Sequence, residues 1–206
     1  MTPDNWNSQR SNIASFFDGR VQQHGVSHLS CDWGRRESQL LRFRVMLQSL
    51  KVAPRAVLDV GCGLADFADV LAQQFPDARY CGVDLSNGMV EAARQRRPDL
   101  DVQCLDILER DPPNGPYDLV VASGIFSLLR GDAAGMMNRL LARMFEITTG
   151  SLVFTSLSAW APDQDVEEFR ADPLAVADFC RKLSPLVALR HDYLPHDFTL
   201  AVHKPQ

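Results

Sequence analysis

The sequence lacks the features of a disulfide-stapled or membrane-spanning protein. Its five cysteines are scattered and none forms a Cys-x-x-Cys pair, which predicts reduced thiols and neither a disulfide framework nor a zinc site. The longest uncharged run considered, Leu119–Leu129, has 11 residues, whereas a membrane-spanning helix needs about 20. The polar start, MTPDNWNSQRSN, contains no apolar segment of a secretory signal. We therefore expect a cytoplasmic protein with no membrane partner.

An excess of positive charge is also missing. The chain has 21 Lys+Arg against 26 Asp+Glu, a formal net charge of −5, and this mild acidity argues against nucleic acid as the partner. With 46% hydrophobic and 23% charged residues, the composition is that of a globular protein and not of a disordered one. A length of 206 residues predicts one domain, large enough to bury a core without metals or disulfides.

From about Pro54 onward, short apolar runs alternate with amphipathic segments. The expected strands are 56–60, 79–85, 101–105, 118–122 and 151–157, and the expected helices are 64–75, 86–97, 133–145 and 172–183. This alternation predicts an α/β fold, a mostly parallel sheet with helices on both faces. Segments 186–193 and 198–203 lie too close together for a crossover helix, so they are expected to form an antiparallel hairpin at one edge.

The first 50 residues do not follow this alternation. Residues 37–50 have the spacing of an amphipathic helix, whereas residues 16–36 are polar and are expected to be irregular. We interpret residues 1–50 as a helical extension laid over an α/β core of residues 51–206, the whole forming one domain.

The strongest chemical signal is the run VLDVGCGLA at residues 57–65, an apolar strand that enters a glycine-rich turn and then a helix. Glycines allow a ligand to approach the backbone, and the helix N-terminus offers free N–H groups. The alternative is a tight strand–helix connection with no ligand. The dinucleotide fingerprint G-x-G-x-x-G fits poorly, because Asp66 stands where its third glycine would be and would repel a pyrophosphate.

The order Asp59-x-Gly61-x-Gly63, followed by Asp84 after the second strand, resembles the class I S-adenosyl-L-methionine (SAM)-dependent methyltransferases. The resemblance covers about residues 57–157. It implies a Rossmann-like, seven-stranded sheet, SAM as cofactor, and an enzyme that transfers a methyl group. Two alternatives stay open: a SAM-binding regulator or partner subunit without catalysis, and a nicotinamide-dependent oxidoreductase on a similar sheet.

The resemblance also implies a set of cofactor-binding residues. They are Asp59, Gly61, Cys62, Gly63, Asp84, Leu85, Met89, Asp106, Ile107 and Ser123. Asp59 would orient the amino end of the methionine, the two glycines would pass under methionine and ribose, and Asp84 would accept hydrogen bonds from both ribose hydroxyls. Asp106 would receive the adenine amine, with Met89 and Ile107 against the adenine ring. Each residue alone has a plainer interpretation as a helix cap, a turn residue or core.

The end of the expected fourth strand, residues 123–127, lacks the Asn/Asp-Pro-Pro-aromatic sequence of methyltransferases that act on planar nitrogens. The resemblance therefore points to a small-molecule acceptor, with oxygen, nitrogen and carbon acceptors all open.

The N-terminal extension is expected to cover the acceptor, near Ser123, Gly124 and Phe126. Candidate groups are His24, His28, Trp33, Arg42, His191, Tyr193 and His196, of which two or three are expected at the pocket. The proposed proton acceptors are His24, His191 and His196, since histidine titrates near neutral pH. Two His-Asp pairs five residues apart raise the question of a metal. Surface histidines on a hairpin are the preferred interpretation, and no metal is expected.

Overall fold

The computed structural model describes residues 3–162 and 167–205. The helices are α1 (Pro3–His24), α2 (Arg36–Gln48), α3 (Asp66–Gln74), α4 (Asn87–Arg96), α5 (Ala133–Ile147) and α6 (Pro173–Leu183). The strands are β1 (Ala56–Val60), β2 (Arg79–Asp84), β3 (Asp101–Cys104), β4 (Tyr117–Ser123), β5 (Thr148–Leu157), β6 (Leu186–Leu194) and β7 (Asp197–His203).

The seven strands form one sheet in the order β3-β2-β1-β4-β5-β7-β6. The first five of these pair in parallel, whereas β7 runs antiparallel to both β5 and β6. The predicted α/β, Rossmann-like fold with a C-terminal antiparallel hairpin is thereby confirmed. The strand order reverses between β1 and β4, and in such sheets ligands bind beyond the carboxyl ends of the strands at this point.

Alternate residues of the buried strand β1 serve the two faces of the sheet, because side chains along a strand point to opposite sides. Val57 packs in a core with Phe43 of α2 and Phe67 of α3, on the face that α4 also covers. Leu58 packs in the other core, which includes Met136 of α5 and Val176 of α6. The predicted helical cover on both faces follows from this alternation.

The N-terminal extension is more helical than expected. Residues 16–24, predicted to be irregular, continue α1, since Phe17 and Val21 pack against Leu64 and Met89. The helix ends where Gly25 adopts φ +62°, and the irregular segment then runs from residue 25 to α2. Within the residues that the structure describes, no helix is long and apolar enough to cross a membrane.

Candidate cofactor and acceptor site

One cavity of about 500 Å³ lies beyond the carboxyl ends of β1, β2 and β4. This is within the range of small-molecule and cofactor sites. All ten residues predicted to bind the cofactor line it. The cavity continues past them to Trp33 and Arg42 of the N-terminal extension, Arg170 of the β5–α6 connection and His196 of the β6–β7 turn. We name the two parts the cofactor half and the acceptor half.

The glycine-rich turn at the end of β1 is constrained by its own packing. Gly61 and Gly63 have φ of +70° and +53°, which glycine adopts most readily. A Cβ on Gly61 would clash with the side chain of Ile125, and one on Gly63 would lie 2.9 Å from Sγ of Cys31. A tight strand–helix connection and the approach of a ligand to the backbone both require glycine at these two positions. The glycines alone therefore do not show which of the two explanations applies.

Asp84 joins the first two turns of the site. Its Oδ2 accepts from the Gly63 N–H at 2.8 Å and its Oδ1 from the Ser86 N–H at 2.9 Å. Burial raises the pKa of this carboxyl, against the effect of these two backbone donors. A carboxylate oxygen offers more than one acceptor site, so each oxygen retains capacity for a hydroxyl. This arrangement fits the two ribose hydroxyls that Asp84 is predicted to bind.

Asp59 lies at the base of the cofactor half with one oxygen already engaged. The Tyr80 hydroxyl donates to its Oδ2 at 2.8 Å, and the residue is 5% exposed. Burial raises the pKa of Asp59 to about 7, because an uncompensated carboxylate is poorly solvated there. A cation beside it would stabilise the charged form, which fits its predicted place near the methionine amino group.

The predicted adenine side of the cavity is covered by α1. The Trp6 indole donates to Oδ2 of Asp106 at 2.8 Å, Arg10 pairs with the same oxygen at 3.4 Å, and the Leu108 N–H donates to Oδ1 at 2.9 Å. Three donors leave room on the carboxylate for about one more. Met89, whose side chain is 1% exposed, packs in a cluster with Leu64 and residues of α1.

The other end of α1 is attached to the helix that follows β2. Oδ1 of Asp18 accepts from the Gly88 N–H at 2.9 Å and from the Ser86 hydroxyl, so its charge stands at the N-terminus of α4, where helix dipoles favour an anion. Much of the N-terminal extension thus lies against residues that are predicted to bind the cofactor. The prediction that it lies over the acceptor applies to the segment around Trp33, whose ring would be 3.1 Å from a Cβ on Gly124, and to Arg42 of α2, which lines the acceptor half.

The acceptor half is held together by a buried ion pair. Arg42 Nε donates to Oδ2 of Asp197 at 2.7 Å, and the two side chains are 4% and 3% exposed. The Arg42 guanidinium lies 4.7 Å from the Trp33 ring centroid, and the Tyr193 hydroxyl donates to Oδ1 of Asp197. The N-terminal extension and the C-terminal hairpin therefore meet at one point.

The three predicted proton acceptors are not brought together. His196 lines the cavity, and its pKa is lowered by burial and then by the charges of Arg42 and Arg170. His24 and His191 are not among the cavity-lining residues. His191 instead forms a hydrogen bond through Nε2 to the Ser158 hydroxyl at 2.8 Å.

Two charged side chains, Asp66 and Arg170, occupy positions that the sequence did not predict. Asp66, expected to face a pyrophosphate, is absent from the cavity lining and pairs with Arg96 at 2.5 Å, so its charge does not bear on cofactor choice. Arg170 and its partner Glu168 were not foreseen, because no motif or periodicity marks the connection that carries them. No cluster of three or more metal-ligating side chains occurs among the described residues.

Sheet order, turn geometry and cavity define an α/β protein with a nucleotide-like cofactor site. A family model described as a methyltransferase domain matches residues 58–149. A methyltransferase-named protein of Mycobacterium tuberculosis is 30% identical over 161 residues, which cover 73% of this chain and 94% of that protein. The chain belongs to the class I SAM-dependent methyltransferases.

One further relative is a methyltransferase by name, and one solved structure shares the fold. A malonyl-[acyl-carrier protein] O-methyltransferase of Legionella pneumophila is 37% identical over 114 residues, 54% of this chain, and the match spans only 39% of that relative's length. The crystal structure of magnesium protoporphyrin IX methyltransferase from Synechocystis PCC 6803 with bound SAH has a TM-score of 0.70 at 15% identity. The match covers 96% of this chain and 100% of the Synechocystis chain. At 15% identity it supports the fold alone.

Proposed function

We propose that the protein transfers the methyl group of SAM to a small-molecule acceptor, in the cytoplasm, and does not act on nucleic acid. The observation that carries this proposal is the continuity of the cavity, which joins all ten predicted cofactor residues to a second half lined by Arg42, Arg170 and His196. The Legionella relative is named as an O-methyltransferase of malonyl-[acyl-carrier protein], and that name supports a metabolic acyl group as acceptor, as opposed to nucleic acid. We propose residues 1–206 as one domain, with 51–206 as the SAM-binding core.

The cofactor supplies a methyl group that is already activated by its positive sulfur. The protein's tasks are then alignment, exclusion of water and, for a hydroxyl or ammonium acceptor, removal of one proton. In the cofactor half, Asp84 and Asp59 would hold ribose and amino group through their remaining acceptor capacity. Trp6 and Trp33 line the cavity and would help to exclude water from it.

Of the three predicted histidines, we propose His196 as the proton acceptor, since it alone of them lines the cavity. Burial and two neighbouring arginines keep its pKa low, so the imidazole is neutral at physiological pH and able to accept a proton. Methyl transfer should therefore persist into mildly acidic solution and fall as pH drops through this lowered pKa.

The test uses the full chain with methyl-labelled SAM and a fractionated metabolite extract. Transfer of label to a small molecule is expected, with loss of transfer in Asp84→Ala and a changed pH profile in His196→Gln. His24→Gln is the matched control and should retain the wild-type profile. Tight binding of SAH together with a stable partner and no labelled product from any fraction would favour the non-catalytic alternative instead.

A further inference from the structure

The acceptor half holds a buried guanidinium whose protein neighbours satisfy it only in part. The side chain of Arg170 is 11% exposed, and its Nη2 donates to Oε2 of Glu168 at 2.6 Å. Its Nε and Nη1 are buried and have no hydrogen-bond partner among the residues that the structure describes. Buried donors without acceptors are costly. Because Arg170 also lines the cavity, a small reorientation of its side chain would let a ligand supply the acceptors.

The position of Arg170 is fixed by its neighbours in the chain. The Phe169 N–H donates to the Ser127 carbonyl at 2.8 Å, and the Ala171 N–H donates to the Leu157 carbonyl at 3.0 Å. These bonds tie the β5–α6 connection to the end of β5 and to the loop after β4. Because the backbone is held on both sides, little ordering is required when a ligand binds to the guanidinium.

The charges of the two halves of the cavity are opposite. The cofactor half carries the carboxyl groups of Asp59, Asp84 and Asp106, which suits a positively charged cofactor. The acceptor half carries Arg42, Arg170 and the exposed Arg35, set against Glu168 and Asp197. Asp32 also lines the cavity, but its carboxylate pairs with Arg20, outside the lining, at 2.8 Å. Among the described residues, the three lining arginines therefore exceed the two remaining carboxylates by one positive charge, which matches a singly charged anion.

We propose that Arg170 anchors a carboxylate of the methyl acceptor, an inference that rests on the proposed methyl transfer. A guanidinium matches a carboxylate in planarity, charge and hydrogen-bond direction. A doubly charged phosphate fits less well, because Glu168 stays beside Arg170. The anchoring carboxylate is not the methylated group, because methylation would neutralise the charge that Arg170 binds, and a guanidinium stabilises that charge in the ground state more than in the transition state. The carboxylate therefore remains on the product.

Binding of small acids to the SAH-saturated full chain tests the anchor without knowledge of the acceptor. The probes are benzoate, phenylacetate, succinate and hexanoate, each with its amide, and phenyl phosphate, all measured by calorimetry. At least one acid should bind about tenfold more tightly than its amide. Equal binding of acid and amide, no binding by any acid, or tighter binding of phenyl phosphate than of every acid would overturn the proposal.

Variants identify the residue responsible. Arg170→Gln should weaken acid binding at least about tenfold and leave SAH affinity unchanged, whereas Arg181→Gln, on the exposed face of α6 with a 71% exposed side chain, should alter neither. Glu168→Gln removes the competing carboxylate and should tighten acid binding about threefold or more. Should Arg170→Gln fail to fold, the Glu168→Gln result decides, and an unchanged or weaker acid affinity there would contradict the anchor.

Different results would contradict the carboxylate anchor at Arg170 and the transfer of a methyl group. If acids bind as expected but no labelled product forms from any metabolite fraction, the anchor stands and methyl transfer is wrong. If labelled products form but none carries a negative charge at neutral pH, judged by retention on an anion exchanger, methyl transfer stands and the anchor is wrong. Both are supported if labelled products are retained on the exchanger and if the Arg170→Gln variant no longer forms those retained products.

Discussion

The two halves of the cavity are built from different kinds of sequence. The cofactor half draws on the ends of β1, β2 and β3 and the turns that follow them, and its central residue, Asp84, is held by backbone N–H groups of Gly63 and Ser86. The acceptor half depends on side chains far apart in the chain, such as Arg42 and Asp197. A short motif of this kind forms the same local turn in other chains that contain it. Pairs such as Arg42 and Asp197, in contrast, come together only when the whole chain folds.

The opposite charges of the two halves express the same difference. In the cofactor half, Asp59 and Asp84 have raised pKa values because burial outweighs the donors that face them. In the acceptor half, the positive charges of Arg42 and Arg170 help to keep His196 neutral. A cavity polarised in this way favours a cationic donor at one end and an anionic acceptor at the other.

The largest expected effect concerns the ion pair of the acceptor half. Asp197→Ala leaves the buried Arg42 charge unpaired, and breaking such a pair costs about 3–5 kcal/mol of the free energy of unfolding. Urea denaturation of both proteins measures it. Asp192→Ala, which removes an exposed partner of Arg190, is the control and should leave the midpoint unchanged. Equal urea midpoints for wild type and Asp197→Ala would show that the Arg42–Asp197 pair does not hold the N-terminal extension and the C-terminal hairpin together.

The next effect concerns cofactor affinity. Asp84→Ala removes the acceptor for both predicted ribose hydroxyls and should cost roughly 2–4 kcal/mol of SAM binding. Calorimetric titration of the folded variant measures this change, with Asp99→Ala, at an exposed site after α4, as control. A folded Asp84→Ala protein with the wild-type dissociation constant would remove Asp84 from the cofactor half.

A smaller loss is expected at the adenine side. Asp106→Asn keeps one acceptor oxygen but adds a competing donor, so SAM affinity should fall about tenfold, or about 1.4 kcal/mol, and Asp106→Ala should lose more. Trp6→Phe retains the carboxylate while deleting the indole donor at 2.8 Å, and should change affinity less than Asp106→Asn does. The same affinity in wild type, Asp106→Asn and Asp106→Ala would place adenine elsewhere.

The smallest expected effect is the release of part of a proton when SAM binds. With its pKa raised to about 7, Asp59 is about half protonated at neutral pH, and a cationic amino group beside it lowers that pKa. SAM binding at pH 7 should therefore release a fraction of a proton, and the release should disappear well above that pH. Calorimetry in buffers of different ionisation enthalpy measures it. Asp59→Asn should abolish the release; if the variant releases as many protons as wild type, another group is responsible.

The sequence by itself determined the strand–helix alternation, the edge hairpin and the ten residues that line the cofactor half. The alternation and the hairpin follow from short-range rules: period-two and period-3.6 patterns, and connections too short for a crossover helix. The ten residues were implied by the resemblance of their motifs to the SAM-dependent methyltransferases, and parallel strand ends converge on one edge of a sheet. The helical continuation of α1 through residues 16–24 escaped those rules, because its polar composition conceals the two apolar residues, Phe17 and Val21, that pack on α4 and the glycine turn.

Only the tertiary structure decided that the N-terminal extension meets the C-terminal hairpin, and therefore which residues the acceptor half contains. It placed His196 in the cavity and left His24 and His191 outside the lining, turned Asp66 towards Arg96, and brought Arg170 beside Glu168. Each of these outcomes depends on a contact between residues that no local pattern links. The physical reason is that a buried charge takes its position from whichever partner the whole fold brings within reach, since leaving it unpaired in the interior is too costly.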